Sequence, residues 1–79
     1  MNRDTQEQII FLQQQLQWSK KQAIILEEID ELLHEMKKIA LYALDNTLTT
    51  SETADLNEKL ARLKTQVHFL EKQLHSEYH

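Results

Sequence analysis

The stretch Leu56-Asn57-Glu58-Lys59-Leu60-Ala61-Arg62-Leu63-Lys64-Thr65-Gln66-Val67-His68-Phe69-Leu70-Glu71-Lys72-Gln73-Leu74 decides the fold. Leu56, Leu60, Leu63, Val67, Leu70 and Leu74 recur in it at alternating spacings of four and three without an error. Such spacing puts six apolar side chains along one seam of a helix, the pattern that coiled-coil packing requires. Asp55 with Lys59 and Glu58 with Arg62 lie four apart on its flanks, where opposite charges add a few tenths of a kcal/mol each. Just upstream, Thr49 followed by Glu52 has capping-box spacing, so this helix is expected over 49–77.

A partner for that seam lies in the first half of the chain. Nothing from Gln6 to Leu44 breaks a helix, and Asp4 with Glu7 offers a cap near the start. Ile25, Ile29, Leu32, Met36, Ile39 and Ala43 repeat the four–three alternation, while Leu26, Leu33 and Ala40 stand one position beyond and widen the apolar face. Upstream, Ile9, Leu12, Leu16 and Ala23 follow a register offset by one, whereas Phe11 and Trp18 keep the downstream one. That register puts Gln8, Gln15 and Gln22 on the seam. With neither Gly nor Pro to mark a break at Trp18–Gln22, the helix is expected to be continuous over 4–45. Asn46, within a turn over 45–49, is a residue able to close a helix in the left-handed conformation when glycine is missing.

Composition agrees with few, long elements. The 79 residues contain no Gly, no Pro and no Cys, so tight turns and bulges are hardly needed, and disulfides and cysteine-based zinc sites are excluded. The length allows one domain over 1–79. The net charge of −4 is spread out, five Lys/Arg against eight Asp/Glu in residues 1–46 and four against five in 47–79. No basic stripe exists to replace counterions along phosphates, so nucleic acid is not expected as a partner. No apolar run reaches the length of a membrane span, and Met1-Asn2-Arg3-Asp4 has no signal-peptide character. The expected location is cytoplasmic.

The fold class expected is therefore all-α, a long antiparallel helical hairpin with coiled-coil packing. The two helices would measure roughly 63 Å and 43 Å at 1.5 Å per residue. Folded back, the second would end about opposite Trp18, leaving Ile9, Ile10, Phe11, Leu12 and Leu16 uncovered. A wide apolar face and an uncovered end predict self-association, as a homodimer forming a four-helix bundle or as a tetramer. Its seam would be Ile25, Ile29, Leu32, Leu33, Met36, Ile39, Leu56, Leu60, Leu63, Val67, Leu70 and Leu74. The candidate surface for another protein is Ile9, Ile10, Phe11, Leu12, Leu16 and Trp18, with the outer face around Glu27–Glu35 as the second choice.

Chemistry-bearing patterns are sparse. Glu31 and His34 have the Glu-x-x-His spacing of di-iron carboxylate bundles, but the second helix offers no inward Glu, and a solvated pair on a helix flank is the ordinary reading. His68, Glu71, His75 and His79 share a stripe near the end, where a solvated tail is the ordinary reading. No phosphate loop or catalytic triad is present, and neither cofactor nor metal is expected.

From Leu26 to Leu63 the layout resembles the small aspartyl-phosphate phosphatases of the sporulation phosphorelay, which are helical hairpins of similar length. The stretch Ile29-Asp30-Glu31-Leu32-Leu33-His34-Glu35-Met36 resembles their first helix, and Leu48-Thr49 the cap of their second. Their signature Ser-x-x-x-Asp falls on Asn57 and Ala61, so the Asp that serves dephosphorylation is absent here. Such kinship would imply a member that binds a response regulator without hydrolysing its phosphoryl group. The function expected from the residues themselves is a non-catalytic interaction module, a small regulator, adaptor or antagonist. The alternatives are the phosphatase-like regulator just described and a structural oligomerisation element.

Overall fold

A computed structural model describes residues 3–76, with two helices, α1 (Arg3–Asp45) and α2 (Thr50–Ser76). The expected end of the second helix at 77 lies outside the described residues. The two helices pack as an antiparallel hairpin: Leu32 shares a groove with Gln66, Phe69 and Leu70, while Ile39 and Tyr42 share one with Asp55 and Leu56. The hairpin is long and thin, 70 × 19 × 12 Å.

Helix α1 runs through Trp18–Gln22 without interruption, as expected for a backbone ladder with no proline to remove a donor. Asp4 does not cap it. The helix already includes Arg3, so Asp4 lies inside the first turn, where a carboxylate still faces the positive end of the helix dipole. Glu7 pairs with Arg3 at 3.2 Å instead of reaching back as a capping-box acid.

The connection, residues 46–49, closes without any left-handed residue; no described residue has positive φ. Asn46 therefore ends the helix by another route than expected. Its Nδ2 donates to the carbonyl oxygen of Tyr42 at 2.8 Å, so the side-chain amide satisfies a terminal acceptor that a backbone N–H would meet in a left-handed cap. Thr49 then opens α2 as the spacing predicts. Its Oγ1 accepts from the Glu52 N–H at 3.1 Å, and Glu52 Oε1 accepts from the Thr49 N–H at 3.3 Å, the reciprocal capping box. The Thr53 hydroxyl adds a bond to the Thr49 carbonyl.

The helices meet along the positions set by the four–three alternation. Ile25, Ile29, Leu32 and Met36 on α1, and Leu56, Leu60, Leu63, Leu70 and Leu74 on α2, are half-buried. Ile39 and Val67, at 9% and 5% exposure, are the deepest apolar side chains described. Ala43, expected as the last rung on α1, is exposed. Leu48, from the connection, is half-buried and covers that end instead. A methyl group is too short to reach α2 where the chain is already turning away. Leu33 faces away from α2 at 49% exposure.

Among the described flank pairs, Glu58 and Arg62 meet at 3.0 Å; exposed pairs of this kind contribute tenths of a kcal/mol. Stability rests on the seam and the cap. Leu63→Ala should lower the unfolding free energy by about 2 kcal/mol or more, and Thr49→Ala by about 1 kcal/mol. Thr65→Ala, on the exposed side of α2, should stay within about 0.5 kcal/mol. Denaturant melts at one fixed chain concentration check all three, and an effect at Thr65 equal to that at Leu63 would mean the register is wrong.

Candidate interaction surface

Beyond α2 the first helix continues alone. Every described residue from Arg3 to Gln17 is exposed, and half-burial begins at Trp18 and Gln22. Trp18 thus lies where α2 ends, at the boundary between covered and uncovered helix. The free segment carries an exposed apolar cluster: Ile9, Ile10, Phe11, Leu12 and Leu16 are 41–63% exposed. Four consecutive apolar residues on a helix, stepping about 100° each, surround its whole circumference. A helix that is hydrophobic all round belongs in contact with neighbours on more than one side.

The shift of register seen in the sequence has a simple geometric meaning. Ile9, Leu12, Leu16, Ala23, Leu26, Leu33, Ala40 and Leu44 are all exposed and lie on one four–three stripe running the length of α1. The stripe is polar only at Ser19, Asp30 and Lys37. It stands one residue, about 100°, around the helix from the side that meets α2. Phe11 and Trp18 instead extend the α2-facing side. What looks in the sequence like one seam with a local shift is two apolar stripes on one helix, and α2 covers only part of one of them. Helix α2 has no counterpart: one step beyond its seam stand Asn57, Ala61, Lys64, His68 and Glu71.

On the opposite side of the hairpin, an open hollow of about 980 Å³ lies between the helices, with Leu32, Phe69 and Leu70 among its lining residues and Glu28, Glu31 and Glu35 beside them. Phe69, 61% exposed, stands out on α2 because it falls one position before a seam leucine; its spacing from Leu70 is the signal that marks it as off the seam. A second hollow of about 520 Å³ lies nearer the turn, between Ile39, Tyr42, Leu56 and Lys59.

Glu31 and His34 both border the larger hollow, but α2 contributes only Thr65, Gln66, Phe69 and Leu70 there, none a carboxylate or imidazole. His34 Nδ1 donates to the Asp30 carbonyl oxygen at 2.9 Å and lies 3.6 Å from that residue's carboxylate. Its ring is therefore held along its own helix. His68 and Glu71 are exposed on α2; the side chain of His75, and His79 altogether, lie outside the described residues. Among the described residues no three His, Cys, Asp or Glu side chains converge, and no helix is long and apolar enough to cross a membrane. Asn57 and Ala61 are exposed on α2, and a methyl group at position 61 can neither accept a proton nor orient a water.

The chain matches no protein-family model, and no curated protein and no solved structure matches it significantly.

If the Glu31–His34 pair is only a helix flank, saturating Zn²⁺ should leave the melting midpoint of a His34→Ala chain and of the unaltered chain equally unmoved. A midpoint that rises with metal and loses the rise in His34→Ala would reassign this flank as a metal site, since a ligand bound only by the folded state raises stability by mass action.

Proposed function

We propose that the chain is a non-catalytic interaction module, a small regulator or adaptor. Its hairpin self-associates through coiled-coil packing and presents the uncovered end of α1 to another protein. The observation that carries this reading is the exposed apolar cluster Ile9–Leu12, joined by Leu16, on the part of α1 that lies past the described end of α2. An apolar patch at helical spacing is suited to a partner's helix or groove, and aromatic anchors such as Phe11 and Trp18 carry a large share of binding energy in such contacts. Self-association is supported by how little the lone hairpin hides: only Ile39 and Val67 are buried among the described apolar residues, and small folds of this kind usually need a further staple. Cytoplasmic residence fits a chain without cysteine.

Two measurements test the reading. Sedimentation equilibrium at micromolar concentration should give at least twice the 9.4 kDa chain mass; a monomer mass would remove the self-association half. Ile10→Ala combined with Phe11→Ala, both well exposed, should abolish capture of the partner recovered with the unaltered chain, while helicity, melting and oligomer mass stay close to the original. Collapse into monomers or unfolding of the double variant would place the segment in the core of the assembly and move the binding surface to the face around Glu27–Glu35.

A further inference from the structure

The second stripe of α1 is specific enough to say how two copies meet. We infer that α1 pairs with α1 of a second copy, antiparallel, in the register that sets Ser19 against Asp30. This rests on the reading that the chain self-associates, and goes beyond it by naming the face, the direction and the register.

The direction follows from charge. In a parallel pair related by two-fold symmetry each stripe position meets itself, so Asp30 would face Asp30 and Lys37 would face Lys37. Like charges brought together in a packed seam repel and lose solvent without compensation. An antiparallel pair separates them.

The register follows from the order of apolar and polar positions. Antiparallel stripes can interlock only in steps of one heptad. With Ser19 opposite Asp30 of the second copy, Leu16 meets Leu33, Ala23 meets Leu26 and Ile9 meets Ala40. Large side chains thus face large or small apolar ones, and the Ser19 hydroxyl can donate to the Asp30 carboxylate twice across the axis. Lys37 meets Leu12, a position at which its aliphatic stem can lie on the leucine while the ammonium reaches water. One heptad toward the turn would put Asp30 against Leu26. Two heptads that way would leave Ile9, Leu12 and Leu16 past the end of the second copy's α1.

In this arrangement the stripe is covered along roughly 53 Å from Ile9 to Leu44, the whole exposed apolar length of that side. Each α2 flanks the opposite end of the α1 pair. The side of α1 that carries Ile10 and Phe11 is not used by this pairing. The overhang is therefore shared between two occupants, a second copy on the Ile9–Leu12–Leu16 side and a partner helix on the Phe11–Trp18 side. That division matches a segment apolar all round.

Site-directed cross-linking tests the register, because the chain has no native cysteine. Leu16→Cys and Leu33→Cys chains are prepared separately, mixed and oxidised. A disulfide needs Cα atoms about 4.4–6.8 Å apart, so the mixture should give a 16–33 linked dimer as the main product, and neither chain alone should link efficiently. Efficient linking of Leu33→Cys with itself would show a parallel pair and overturn the proposal. Preferred linking of Leu16→Cys to Ala40→Cys would show the neighbouring register and overturn it as well. A dimer mass with no 16–33 link overturns the inference and leaves self-association standing, whereas a monomer mass for the unaltered chain removes both. As a check independent of thiols, Leu33→Asp should raise the dimer dissociation constant about tenfold or more, with the hairpin's helicity retained. An unchanged dissociation constant would equally overturn the proposal.

Discussion

Two helices of unequal length can share only one line of contact, and the rest of this molecule is arranged around that limit. The line runs from Trp18 and Leu74 at one end to Ile39, Leu48 and Leu56 at the other, and its apolar side chains are mostly half-buried. A single seam in a thin hairpin cannot remove a leucine from water on all sides, since each rung has solvent to its left and right. The burial that a globular domain obtains from several layers is obtained here only where the two helices touch. Everything apolar that remains on α1 is therefore available for contact with something else.

The asymmetry between the helices follows directly. Helix α2 is apolar on one side and, apart from Phe69 and single alanines, polar on the others, the composition of an element with one neighbour. Helix α1 carries two apolar sides about 100° apart, the composition of an element with two neighbours, and at Ile9–Leu12 it is apolar in every direction. The second helix supports one side of the first. The capping box at Thr49 and Glu52 and the Asn46 side chain on the Tyr42 carbonyl hold the support in place without a single glycine.

The heptad positions on α2, the continuity of α1 and the Thr49–Glu52 box were legible in the sequence because each depends on residues within seven positions of one another. The ending at Asn46 was not, because side-chain and left-handed caps use the same residue type and differ only in which group donates. Ala43 was misplaced for a related reason. Periodicity says which side of a helix a residue occupies, not whether the partner helix is still alongside at that level. The uncovered end of α1 was legible as a length mismatch, but the exposed apolar stripe along α1 was hidden, since Ile9 and Leu33 are too far apart in sequence to be seen as one stripe until the helix between them is known to be unbroken.

The four-residue connection also sets an order of events. Contacts beside it, such as those of Ile39 with Leu56, close a short loop, while those near Trp18 join segments more than fifty residues apart along the chain, and longer closures cost more entropy. The hairpin should zip from the turn toward the open end and, by reversibility, fray from the open end toward the turn. Local stability thus declines from the turn, beside which Ile39 is buried, toward the level where α2 runs out. The region bordering the free apolar segment is therefore the part of the hairpin that opens most often, so the covered length of α1 shortens and lengthens at that end rather than at the turn.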